Sequence, residues 1–117
     1  MTQDDCLFCK ILAGEIPSTE VASNEDAYAF RDISPNAPTH VVVVPRRHYR
    51  DVADISHKEP ELLGKVAALA AEVADQEGVT ESGWRLVANT GPDAGQTVFH
   101  VHFHVLGGEP LGALNAE

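Results

Sequence analysis

The chain has 117 residues, 44% of them hydrophobic and 22% charged, which excludes wholesale disorder and suits one domain, residues 1–117, with its own core. Eight Lys and Arg stand against 18 Asp and Glu, a formal net charge of −10. That sign argues against a nucleic-acid binder or a polybasic membrane anchor, since both need a basic face. Residues 1–5 are acidic rather than basic, and the apolar run from Val41 to Val44 is far too short to span a bilayer. No targeting or membrane segment is read, and the cytoplasm is the expected compartment.

In chain order, residues 6–13 are expected to form a short helix, stopped by Gly14 and then Pro17. Residues 28–31 read as a strand ended by the turn set Asp32-Ile33-Ser34-Pro35-Asn36-Ala37-Pro38. The β-branched run at 40–45 reads as a strand buried on both faces. Leu62, Val66, Leu69 and Val73 recur at intervals of three and four and Gly78 follows, which predicts one long helix. Ser56 and Glu59 offer it a capping box, with Pro60 leaving its start open between them. A strand over 84–89, a turn-rich loop over 90–95 and a last strand over 97–106, closed by Gly107-Gly108, complete the pattern. Strands flanking one major helix, with connections of antiparallel length, predict an α+β domain.

The last strand carries the chemistry. His100, His102 and His104 alternate with Phe99, Val101, Phe103 and Val105. Packing of the apolar set on the core would direct all three imidazoles to one face. By itself the pattern also fits a solvated edge face or a three-histidine metal site, since neutral imidazole is a common zinc ligand. Cys6 and Cys9 form a C-x-x-C pair that would staple almost nothing as a disulfide. Free thiols, a redox pair and metal ligands are all open readings, although bulky Leu7 and Phe8 inside the pair speak against the redox one.

The H-x-H-x-H run followed by two apolar residues resembles the histidine-triad family. The resemblance extends over Cys6-Leu7-Phe8-Cys9-Lys10-Ile11, the stretch from Asp32 to His40, Pro45-Arg46-Arg47-His48, and residues 89–97 and 100–108. The ending Val105-Leu106-Gly107-Gly108 is most similar to the nucleotide-binding branch, bacterial type. It is less similar to the dinucleoside-polyphosphate hydrolase or nucleotidyl-transferring branches. The resemblance implies a homodimeric α+β fold with a five-stranded antiparallel sheet, one long and one short helix, and the sheet extended across the dimer. It also implies hydrolysis of purine nucleoside 5′-phosphoramidates and aminoacyl-nucleotides through a nucleotidyl-histidine at His102.

Other roles follow by position. His104 would donate to the phosphoryl oxygens or to the leaving amine, and His40 would line the site behind the triad. Asp32 would accept from the ribose hydroxyls, with Phe8, Phe30 and Ile33 as the slot for the base. Asn89, Gln96 and Thr97 would add side-chain donors to an anion cradle that Gly91 and Gly95 open to backbone N–H groups. The family's bacterial members imply a structural zinc on Cys6, Cys9, His48 and His100, which splits the triad between metal and phosphorus. The sequence departs from the branch at Thr97, commonly Ser, at Glu109, commonly basic, and in a short tail over 111–117. Competing functions are a non-catalytic nucleotide sensor or scaffold, a dinucleoside polyphosphate hydrolase, and a three-histidine metalloprotein. A dimer is also read from the residues themselves. Ala67, Ala68, Ala70, Ala71 and Ala74 surround the long helix's apolar stripe, and the strand at 84–88 has little to protect its edge.

Overall fold

The computed structural model describes residues 6–114; the acidic residues 1–5 and the last three residues of the tail, 115–117, lie outside the described residues. A short helix α1 (Leu7–Leu12) opens the fold, with the Cys6 sulfur at its N-cap accepting from the Cys9 N–H at 3.1 Å. Strands β1 (Glu20–Ser23), β2 (Ala27–Arg31) and β3 (Thr39–Pro45) follow, then helices α2 (Val52–Lys58) and α3 (Pro60–Gln76), and strands β4 (Trp84–Val87) and β5 (Phe103–Gly107). The strands form one antiparallel sheet in the order β1-β2-β3-β5-β4. Among the described residues, no helix is long and apolar enough to cross a membrane.

Central β3 is buried along its whole length, as the valine run predicts. Alternation sends Val41 and Val43 to the face covered by α3, where Leu62, Val66, Leu69 and Val73 meet them. Val42 and Val44 face the other way and pack with Phe8 and Phe30 beneath α1. Six residues of α1 cannot cover a five-stranded sheet, so much of this second face stays open.

The structure corrects the predicted elements at several points. The long helix starts at Pro60, the later of the two starts left open, and an unexpected short helix, α2, precedes it; Pro60 lacks an N–H and keeps the two apart. Asp51 caps α2, accepting from the Asp54 N–H at 2.9 Å. Ser56 therefore lies inside α2, and Glu59 makes no side-chain cap bond. Glu59 instead accepts from the Tyr49 hydroxyl at 2.7 Å and pairs with Arg47. Strand β1 carried no predictive pattern. The strand expected over 97–106 begins only at Phe103, which pairs with Val43, and the residues before it lie outside the ladder. The Val101 N–H bonds the Tyr49 carbonyl at 2.7 Å instead, and Phe99 leaves the core to lie beneath the Arg50 guanidinium, 4.4 Å away. Ala70 and Ala74 belong to the subunit's own core, whereas Ala68 and Ala71 are exposed.

Candidate functional site

A cavity of about 570 Å³ opens on the second face of the sheet. His40, Val42, His104 and Leu106 reach it together because β3 and β5 pair His40 with Leu106 and Val42 with His104, and directly opposed residues share a face. α1 contributes Phe8, and the β4–β5 loop contributes Asn89, Gly95 and Thr97.

Hydrogen bonds assign the protons on the imidazoles. His102 Nδ1 lies 2.8 Å from the His100 carbonyl oxygen. A carbonyl only accepts, so Nδ1 donates and Nε2 keeps its lone pair. The Asn36 N–H donates to His40 Nδ1 at 3.0 Å, which leaves the His40 proton on Nε2. That proton is donated to His104 Nδ1 at 2.9 Å, and His104 in turn carries its own on Nε2. The cavity thus contains one imidazole with a free lone pair beside another with a free N–H, their rings 5.2 Å apart. Burial lowers the pKa of His40 and of His102. For His104, burial, with His102 and His40 alongside, brings it down to about 4. All three are neutral at pH 7.

His100 separates from its two neighbours. Residues 97–102 have left the sheet, and this ring is fully buried on the far side of Phe8, 6.1 Å centroid to centroid. Its Nε2 donates to the Pro45 carbonyl at 2.9 Å, so Nδ1 holds a lone pair. That atom lies 3.4 Å from each of the Cys6 and Cys9 sulfurs and 3.2 Å from His48 Nδ1, with Cys9 Sγ 3.3 Å from His48 Nδ1. The four donor atoms all fall within 4.8 Å of one another. Burial, with Cys6 alongside, raises the Cys9 thiol to about 12, while burial holds His100 at about 4. Asp32, His40 and His104 also cluster within 4.8 Å, but a hydrogen already fills the gap between the two rings.

The remaining expected residues divide. Asp32 lines the cavity with Oδ1 accepting from the Ser34 N–H at 2.8 Å and Oδ2 3.4 Å from His40 Nε2. Phe8 and Phe30 meet edge to face at 5.6 Å and Phe8 stands against His102 at 4.9 Å, while Ile33 is 98% exposed at the lip. Gln96 is a correction: it is buried and absent from the lining. Its Oε1 accepts from the Gly91 N–H at 2.8 Å, and its Nε2 donates to the Arg50 and Val98 carbonyls at 2.9 and 3.1 Å. Every polar atom of the side chain braces the loop, and none is left to cradle an anion. Asn36 was missed because its contribution is a backbone N–H, which no residue identity reports.

The HIT domain family model matches residues 13–111. The chain belongs to the HIT family. It is 44% identical over 113 residues, 97% of this chain and 95% of the relative, to a protein of Escherichia coli strain K12 named purine nucleoside phosphoramidase. It is 43% identical over 107 residues, 90% of this chain and 83% of the relative, to a 14 kDa zinc-binding protein of Zea mays. Among solved structures, a HIT family hydrolase from Clostridium thermocellum superposes with a TM-score of 0.91 at 42% identity, covering 96% of this chain and 97% of that one. Its mixed α+β architecture and five-stranded antiparallel sheet are those of this HIT domain.

Proposed function

We propose that this HIT protein hydrolyses purine nucleoside 5′-phosphoramidates and aminoacyl-nucleotides through a nucleotidyl-histidine. The observation that carries the reading is the pair of tautomers, a lone pair on His102 Nε2 beside an N–H on His104 Nε2. His102 Nε2 attacks phosphorus and the P–N bond breaks as His104 passes its Nε2 proton to the leaving nitrogen. Water then cleaves the His102–phosphorus bond. One water is consumed overall, its hydroxyl ending on phosphorus and its remaining hydrogen replacing the proton that His104 gave to the amine. Gly95, Asn89 and Thr97 surround the phosphoryl oxygens, and Phe8, Phe30 and Ile33 take the base. Adenosine 5′-phosphoramidate is expected to yield adenosine 5′-monophosphate and ammonia. Nucleotide binding without turnover would instead make the chain a sensor or scaffold.

Asp32 is read as the acceptor for the ribose diol, its carboxylate lying in the cavity wall. Asp32→Asn should weaken ribonucleotide binding roughly ten- to a hundredfold, since hydrogen bonds to a charged group contribute about 1.5–3 kcal/mol. The preference over deoxyribonucleotides should narrow with it. Titration calorimetry with both sugars checks this, and an unchanged ratio would remove Asp32 from the sugar site.

The four-donor cluster fits a structural zinc. A tetrahedron with metal–ligand bonds of about 2.0–2.3 Å has edges of roughly 3.3–3.8 Å; four of the six donor pairs lie 3.2–3.4 Å apart and all lie within 4.8 Å. The Pro45 carbonyl already sets His100 in the ligating tautomer. Bound there, the metal would supply cross-linking rather than chemistry on the substrate, because four protein ligands close its shell.

A homodimer is read from the open β4 edge, where Leu86 is 39% exposed, and from the exposed stripe of Gly64, Ala68 and Ala71 on α3. Sedimentation at micromolar concentration should give twice the 12.6 kDa chain mass. Ala71→Glu should halve it, whereas Ala70→Glu would damage the subunit core. A fully active monomer would defeat this reading. Two unpaired cysteines suit a reducing compartment, and the cytoplasm is the compartment read for this chain.

A further inference from the structure

The cavity lining contains few charges. Among the described residues, its charged and titratable members are Arg31, Asp32, His40, His102 and His104. The single cation in that set is engaged elsewhere. Arg31 follows Phe30 in β2, and its guanidinium bonds both Glu77 oxygens, at 2.7 and 2.8 Å, just beyond the end of α3. His40 Nε2 donates to His104 Nδ1 across 2.9 Å and His40 Nδ1 accepts from the Asn36 N–H, so each ring keeps one nitrogen without a proton and neither is an imidazolium. His102 donates once, to the His100 carbonyl. α1 contributes apolar residues such as Phe8 and Ile11, and the β4–β5 loop contributes neutral Asn89, Gly95, Thr97 and Val98. What remains is a set of neutral donors beside one carboxylate, inside a chain of net charge −10.

We propose that the cavity selects nucleotides by phosphoryl charge, holding a singly charged 5′-phosphoryl group and releasing a doubly charged one; the inference rests on the reading of the cavity as a 5′-nucleotide site. Neutral N–H and O–H donors stabilise one negative charge well. A second charge gains no counterion and is repelled by Asp32 in a partly desolvated space, where Coulomb energies are several times those in water. The chemistry of turnover makes this useful. A phosphoramidate monoester keeps one negative charge through the neutral range. The mononucleotide product gains a second as its phosphate ionises near pH ~6. Hydrolysis thus creates a ligand that the cavity binds poorly once it has lost its proton, and product leaves on ionisation.

The test is titration calorimetry on the wild-type protein with two probes. Adenosine 5′-monophosphate changes charge between about pH 5.5 and about pH 8, and its O-methyl ester keeps a single charge throughout. The ester reports any change in the protein itself. Affinity for the monophosphate, taken relative to the ester, is expected to fall about tenfold or more as the phosphate ionises. Added salt should narrow that gap, since screening relieves repulsion. A monophosphate that binds at the higher pH as tightly as the ester would overturn the proposal, as would a gap that widens with salt. If neither probe binds at any pH, the nucleotide-site reading itself fails, a result distinct from equal binding of the two.

Discussion

His102→Ala is expected to reduce turnover of adenosine 5′-phosphoramidate by at least about 10³-fold while leaving mononucleotide affinity within about tenfold. Chemistry and binding separate because the base slot and the loop around the phosphoryl group are made by other residues. The variant removes the lone pair that the His100 carbonyl sets up, and no other ring in the cavity offers one: His104 presents its N–H, and both His40 nitrogens are engaged. Rapid quench into alkaline denaturant and mass measurement should find a nucleotidyl adduct on the wild-type chain and none on the variant. Undiminished turnover by the variant would eliminate the covalent route. His104→Ala should cost less, roughly 10²–10⁴-fold, the range of a lost proton donor.

Loss of the proposed zinc from the Cys6, Cys9, His48 and His100 cluster is expected to have the largest effect on stability. Its ligands come from α1, from the turn after β3 and from the segment leading into β5, three places far apart in sequence. Linking them closes long loops in the unfolded chain, and a structural zinc contributes its binding energy to folding. Cys9→Ser keeps the side chain's size but exchanges a thiolate for a poor ligand. It should reduce bound zinc from one per chain to near none. A loss of even about 3 kcal/mol would lower the Tm by roughly 10–15 °C for a domain of this size. Metal analysis with differential scanning calorimetry checks both, and wild-type protein free of zinc after expression in zinc-replete medium would refute the assignment.

The sequence made much of this legible because its signals are local. Alternation placed His102 and His104 in one site, and the valine run located the central strand, since both patterns express the two-residue period of β structure. The same period misled at residues 97–102. The alternation continues in the sequence, but residues 98–100 bend outside the ladder, so side chains two apart there do not share a face. His100 thus reaches a different centre from the one its spacing alone suggested, although its likeness to the family's metal-ligand position placed it correctly in the cluster. Gln96 misled for a related reason. A side chain that donates is a candidate for an anion until its surroundings are known, and the Arg50 carbonyl that claims it is 46 residues away in sequence. The division of α2 from α3 was written in Asp51 and Pro60, but the regular stripe beginning at Leu62 overshadowed it.

The turn at residues 47–50 has a consequence for how this protein tolerates change. Arg47 and Tyr49 both hold Glu59, His48 joins the cluster of Cys6, Cys9 and His100, and the carbonyls of Tyr49 and Arg50 take the Val101 N–H and the Gln96 side chain. Arg47 is exposed and none of these residues lines the cavity, so a survey that ranks positions by solvent exposure or by distance from the ligand would mark them as free to vary. They are joined instead to both centres at once. Random mutagenesis should therefore find losses of function concentrated on this short outer stretch, with sequence drift slower there than on the equally exposed outer side of α3.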